Sequence, residues 1–283
     1  MEVRFDIGAS QRRFAWTLGA TQLADELGRT AKVGMFLRYC SVWLIFTAVV
    51  VSSWSYSQEP TRLSRPAISP AVWGVLEQPH APGTHPGVVI LHGSRGWRPE
   101  YAQYAKALAD SGFVALALSH FVETGRDTVM RDPRQAWATW HAVVRNAVRY
   151  LSALPSTKGQ KLGLVGFSHG AFLAISVASS LPEVRAVVDF YGGYNTAVRT
   201  RDEQLSSFPP LLILHGDADT LVSVDFARYL KDAIERRGGQ VELHIYPGAH
   251  HAFNSKVYPT YSDSLAKDSF RLTVDFLARR LRN

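Results

Sequence analysis

In the stretch Gly166-Phe167-Ser168-His169-Gly170 a serine stands between two glycines, where the apolar run Gly163-Leu164-Val165 gives way to helix-forming residues. A serine on such a strand-to-helix turn has a strained backbone that lifts its hydroxyl clear of the sheet. The flanking glycines lack the Cβ atoms that would clash as strand and helix pack. The pattern is that of a nucleophile elbow, with Ser168 as candidate nucleophile. Because G-x-S-x-G also arises by chance in long chains, its meaning depends on partners. A serine hydroxyl is a poor nucleophile at neutral pH and needs a base to take its proton and an acid to orient that base.

Candidates for both follow at the ends of later apolar runs. The acid lies in His215-Gly216-Asp217-Ala218-Asp219-Thr220-Leu221-Val222, directly after Leu211-Leu212-Ile213-Leu214. Loops after buried strands of a parallel sheet build active sites. Asp217 and Asp219 compete for the role; Asp219 is favoured, with Asp217 bracing the loop as aspartates in turns do. The base lies in Tyr246-Pro247-Gly248-Ala249-His250-His251-Ala252-Phe253, as His250 or His251. The order serine, acid, histidine is the one α/β-hydrolases use. Acyl transfer further requires two backbone N–H groups for the developing oxyanion. One is expected from His169, after the nucleophile. The other is expected from His92-Gly93-Ser94-Arg95-Gly96, at Ser94 with Arg95 as the near alternative.

The elements that must position these residues alternate along the chain. Strands are expected at 71–76, 88–91, 113–118, 161–165, 184–191, 211–214 and 241–246, and helices at 100–110, 134–154, 171–180, 224–237 and 262–281. Strands of consecutive apolar residues separated by helices predict an α/β fold, with a mostly parallel central sheet covered by helices on both faces. A chain of 283 residues, 46% apolar and 19% charged, suits one large domain, and the composition excludes wholesale disorder. The net charge of +7 comes without a dense Lys/Arg cluster, so nucleic-acid binding is not expected.

No charged residue occurs between Arg38 and Glu59, and the interval contains Val42-Trp43-Leu44-Ile45-Phe46-Thr47-Ala48-Val49-Val50-Val51. With Lys32 and Arg38 before it and small serines after it, the segment at 35–57 reads as a signal peptide or membrane anchor. Possible membrane contact is assigned to 39–58, and the protein is expected to be exported or membrane-anchored. The serines make the run short for a span of about 20 apolar residues. Met35 stands where such a signal normally begins, so 1–34 is expected to be an upstream extension. Residues 58–70, rich in proline and polar residues, read as a linker, and the domain is expected at 71–283. The single cysteine, Cys40, excludes an intrachain disulfide, and no Cys/His spacing suits zinc.

Taken together, Leu91-His92-Gly93-Ser94-Arg95-Gly96, Gly166-Phe167-Ser168-His169-Gly170, Phe190-Tyr191-Gly192-Gly193, the Asp217/Asp219 loop and His250-His251-Ala252-Phe253 resemble the dienelactone hydrolase family of α/β-hydrolases. The similarity runs from about Val72 to the C-terminus. It implies His251 as the base, since the family's histidine directly precedes Ala-Phe, and Asp219 as the acid, three residues before Val222. It also implies Ser94 as the second oxyanion donor, hydrolysis of a small-molecule ester or lactone, and no cofactor. Two departures stand out. The name-giving enzymes carry a cysteine in the elbow and a glutamate in the oxyanion loop, where this chain has Ser168 and Gly93. An arginine that would grip a substrate carboxylate after His-Ala-Phe is replaced by Asn254-Ser255. These residues imply a more general serine esterase than a dienelactone hydrolase in the strict sense.

Overall fold

The computed structural model describes residues 73–121, 133–193, 205 and 207–282. The expected extension at 1–34, the signal or anchor at 35–57 and the linker at 58–70 lie outside the described residues. Among the described residues no helix is long and apolar enough to cross a membrane.

The strands are β1 (Trp73–Glu77), β2 (Gly87–Leu91), β3 (Val114–Ser119), β4 (Leu162–Phe167), β5 (Val184–Phe190), β6 (Leu211–Gly216) and β7 (Val241–Tyr246). The helices are α1 (Pro99–Asp110), α2 (Pro133–Ala153), α3 (His169–Ala178), α4 (Val224–Glu235) and α5 (Asp263–Leu281). One seven-stranded sheet runs β1-β3-β2-β4-β5-β6-β7. Only β1 is antiparallel, pairing Val75 with Ala117; the other neighbours are parallel. The elements follow the expected order, with ends shifted by at most two residues. The shift that matters is at α3, which begins at His169 and not at Ala171. Gly170 does not break this helix: it lets the first turn press against the backbone of Leu91 and His92.

The continuous apolar strands are explained by their two covered faces. Val89, Leu91, Leu164, Val187 and Ile213 pack with α2, α3 and α4 on one side. Val88, Ile90, Val165, Val188 and Leu214 pack with α1 and α5 on the other. Because side chains alternate between faces, a strand buried on both sides has no polar positions to spare. All the crossovers between parallel strands leave from the carboxyl ends of β2, β3, β4, β5 and β6, so the loops carrying His92 to Gly96, His120, Ser168, Tyr191 and Asp219 gather along one edge of the sheet, joined there by the loop after β7.

Gly170 ties this edge together. A Cβ there would lie 2.3 Å from the Leu91 carbonyl oxygen and 2.6 Å from that of His92, and neither backbone atom can swing aside. Gly170→Ala is expected to lower stability by about 3 kcal/mol. Urea unfolding should show a reduced midpoint at unchanged m-value; an unchanged midpoint would mean that the close approach is not a constraint.

Candidate active site

Ser168 sits at φ 52° and ψ −115°, a conformation that L-residues other than glycine rarely adopt. Its N–H donates to the Phe190 carbonyl at 2.9 Å, while its own carbonyl accepts from Ala171 and Phe172 at 2.9 and 3.2 Å. The residue therefore occupies the cap position of α3, yet its hydroxyl does not cap the helix. Gly166 makes the turn possible from the strand side, since a Cβ there would fall 2.4 Å from the Ala171 Cα. The side chain is thereby aimed away from both the strand and the helix.

It meets His251, whose Nε2 lies 3.0 Å from Ser168 Oγ. The other ring nitrogen, Nδ1, lies 2.7 Å from Asp219 Oδ2. The loop that supplies Asp219 binds the carboxylate further: the N–H groups of Leu221 and Val222 both donate to Oδ1 at 2.9 Å. A fourth group, His215 Nε2, lies 3.4 Å from Oδ2. Burial by itself would push the Asp219 carboxyl upward. Hydrogen bonds from His215, His251 and the Val222 N–H outweigh it and hold the group well below the usual carboxylate range. Asp219 is thus an anion that accepts from the imidazole Nδ1–H and leaves Nε2 free to accept the serine proton.

The competing candidates lie elsewhere. Asp217 is exposed and accepts from the Gly248 N–H at 2.6 Å, bracing the β6 and β7 loops against each other. His250 is exposed, whereas His251 is half-buried. Three non-glycine residues among those described have positive φ: Ser168, Tyr191 at 42° and Ala252 at 59°. All three belong to this site. The Tyr191 ring packs edge-on against His251 with centroids 4.7 Å apart, and its hydroxyl donates to Asn254 Oδ1 at 2.8 Å.

A cavity of about 190 Å³ opens at Ser168, bordered by Ser94, Arg95, Tyr101, Tyr191, Leu221 and Tyr258. His169 is the first residue of α3, so its N–H has no acceptor within the helix and is available to an anion. Ser94 lies at the opposite rim in a turn closed by the Gly96 N–H donating to the Gly93 carbonyl at 3.1 Å. That loop is held from below by Tyr101, whose hydroxyl oxygen accepts the Gly93 N–H at 3.0 Å. Arg95 also borders the cavity, with its guanidinium 4.8 Å above the Tyr258 ring. Among the described residues no group of three or more His, Cys, Asp or Glu side chains is arranged to hold a metal ion.

Comparison with known proteins agrees with the fold. The dienelactone hydrolase family model matches residues 72–281. The chain belongs to the dienelactone hydrolase family. A relative from Bradyrhizobium sp., described as a probable 2-oxo-3-(5-oxofuran-2-ylidene)propanoate lactonase, is 27% identical over 216 residues, covering 71% of this chain and 87% of its own. The solved structure of the dienelactone hydrolase-like promiscuous phosphotriesterase P91, from metagenomic libraries, superposes with a TM-score of 0.64 at 20% identity, covering 74% and 93% of the two chains. Esterase 2 of Thermogutta terrifontis, solved with propionate, superposes with a TM-score of 0.58 at 18% identity, covering 74% and 89%.

Within this family the chain's two departures have visible surroundings. A Cβ at Gly93 would find only ordinary contacts, the nearest being the Phe167 carbonyl oxygen at 3.5 Å. After His-Ala-Phe, Asn254 is engaged by Tyr191, and Ser255 Oγ donates to Glu100 Oε2 at 2.7 Å. Residues that sequence reasoning did not single out also crowd the site. His215 and Asp189 lie behind Asp219, and Tyr101 supports the oxyanion loop. Asp189 had a signal, a lone carboxylate in the apolar run Val187-Val188-Asp189-Phe190, and His215 stood inside a quoted motif.

A stack of imidazoles backs the elbow. His92 and His120 stack with centroids 3.7 Å apart, and His169 lies parallel to His120 at 5.7 Å. His92 places its proton on Nδ1, donating to the Gly93 carbonyl at 2.8 Å, and accepts the His120 N–H at Nε2 at 3.3 Å. Both ring nitrogens of the buried His120 lack a partner among the described residues. Burial pulls His92 down to about 3 and His169 to about 4, and holds His120 well below its ordinary value. These rings stay neutral when folded but titrate near pH 6.5 when unfolded. The unfolded chain then binds more protons, so the contribution of these rings to stability is full above pH 6.5 and is lost as pH falls toward 4. Thermal unfolding between pH 7 and 4 should show a falling midpoint, and His120→Phe should flatten that decline. Identical slopes in the two proteins would contradict the neutral stack.

Proposed function

We propose that this protein is a serine hydrolase cleaving a carboxylic ester or lactone through an acyl-enzyme on Ser168. The reading is carried by one observation, the continuous hydrogen-bonded line from Ser168 Oγ through His251 to Asp219. In the first half-reaction Ser168 Oγ attacks the carbonyl carbon and its proton passes to His251 Nε2. The carbonyl oxygen takes up the negative charge and is held by the N–H groups of His169 and Ser94. Asp219 stabilises the imidazolium that forms and fixes its tautomer. Collapse of the tetrahedral species breaks the acyl–oxygen bond, and the leaving alkoxide takes the proton from His251. Water then attacks the acyl-enzyme, giving its proton to His251, and the second collapse releases the carboxylic acid and restores the Ser168 hydroxyl. With a lactone, the leaving oxygen takes the proton as a hydroxyl but stays joined to the acyl group through its carbon chain, so the second step releases a single hydroxy acid.

The esterase and lactonase descriptions of the relatives support this class of bond. A cavity of about 190 Å³ favours a short acyl chain over a long one. The apolar stretch at 39–58, free of charged residues and preceded by Lys32 and Arg38, supports action outside the cytoplasm, released or tethered to the membrane. Fractionation of the native host tests that location: recovery of the enzyme in the cytosol alone would refute it.

Ser168→Ala should reduce hydrolysis of p-nitrophenyl acetate by at least about a thousandfold with the fold intact by circular dichroism. A rate unchanged from the native protein would remove Ser168 from the chemistry. Across p-nitrophenyl esters, kcat/KM should be at least about tenfold higher for acetate and butyrate than for palmitate, because the long chain finds no cavity to bury it. Preference for palmitate would contradict the small-acyl reading.

A further inference from the structure

Behind Asp219 lies a second histidine–carboxylate arrangement that the mechanism above does not use. Asp189 is the penultimate residue of β5 and His215 the penultimate residue of β6, and both side chains are fully excluded from solvent. The register pairs Asp189 with Ile213, so Asp189 and His215, two residues further on, project from the same face of adjacent strands. His215 Nε2 lies 2.9 Å from the Val222 carbonyl and 3.4 Å from Asp219 Oδ2. The groups facing His215 are therefore Asp189 from β5, Asp219 and the Val222 carbonyl from the loop after β6, and, beyond Asp219, His251. Asp217 of the same loop turns outward to the Gly248 N–H.

Two orphaned atoms give this arrangement its meaning. Asp189 Oδ1 accepts the Gly192 N–H at 2.7 Å, but Asp189 Oδ2 and His215 Nδ1 have no hydrogen-bond partner among the described residues. A buried carboxylate with one oxygen unpaired needs a nearby opposite charge to remain ionised. A neutral imidazole would supply none.

We propose that His215 is a positioning residue for catalysis: held as an imidazolium between Asp189 and Asp219, it grips the acid loop through Val222 and offsets part of the Asp219 charge seen by His251. The proposal rests on the Ser168–His251–Asp219 reading. The positive charge of His215 counters the attraction of Asp219 for a charge on the His251 imidazole. Burial pulls the His215 imidazole down. Hydrogen bonding to Asp219 and Val222, with the charges of Asp189 and Asp219, overcomes this and sets it above its ordinary value. Burial raises the Asp189 carboxyl to about 6, against the opposing charge of His215 and the Gly192 N–H.

The experiment uses the full chain and p-nitrophenyl acetate. In His215→Gln the amide can still donate to the Val222 carbonyl but carries no charge. The acid limb of its kcat/KM–pH profile should move to higher pH by about 0.5 to 1.5 units, with KM within about threefold of native. A lower plateau with an unmoved limb would reduce His215 to a structural role and overturn the proposal. Labelling of the variant by a fluorophosphonate shows whether Ser168 chemistry itself persists, which separates failure of this proposal from failure of the triad reading. Nitrogen NMR of the native protein at pH 7 gives a test that needs no variant: His215 should show both ring nitrogens protonated. A neutral ring at that pH would overturn the proposal whatever the kinetics. In Asp189→Asn the same ring should lose its second proton at least about one pH unit lower; an unchanged titration would overturn the role given to Asp189.

Discussion

The site depends on a steric constraint at the turn between β4 and α3. Ser168 holds a backbone conformation that costs of order 1–3 kcal/mol, and it persists because its surroundings allow no other. Gly166 passes against the start of α3, Gly170 against the carbonyls of Leu91 and His92, and the Ser168 N–H is fixed to Phe190 on β5. One turn is therefore locked to three strands at once. The same contacts set the distance between the two halves of the expected oxyanion hole, because the first turn of α3 packs where the loop after β2 begins.

Electrostatics supplies the second condition. Removing Asp219 from water disfavours its charge, and the loop answers with two backbone N–H groups and two imidazoles. These hydrogen bonds hold the carboxyl well below the usual carboxylate range, which suits an anion that orients the His251 imidazole and does not take its proton. Tyr191 restrains the same imidazole from its face, again from a residue at positive φ. Both devices lie at carboxyl ends of parallel strands, where several loops can converge on one point without breaking the ladder.

The sheet and helices were legible in the sequence because buried parallel strands read as unbroken apolar runs and their crossover helices as amphipathic ones. Ser168 was legible because its glycines are a local requirement of the turn. The choices of Asp219 over Asp217 and His251 over His250 were not local. Neighbouring residues in a loop point in different directions; the family pattern was needed to choose between the histidines, whereas Asp219 was already favoured and the pattern added to that. Asp189 and His215 escaped notice for a related reason: their meaning arises only from the pairing of β5 with β6, which joins residues 26 positions apart. A lone aspartate in an apolar strand was the available signal. The histidine stack likewise forms from two loops and the first residue of α3, and nothing in the spacing of His92, His120 and His169 predicts it.

The central claim is that Ser168 is made nucleophilic by His251 and Asp219, and covalent capture tests it most directly. Treatment of the full chain with a fluorophosphonate, followed by peptide mass spectrometry, should give one adduct, on Ser168, formed rapidly in the native protein and at least about a hundredfold more slowly in His251→Ala. An adduct on another serine, or equal labelling rates with and without the His251 imidazole, would contradict the account.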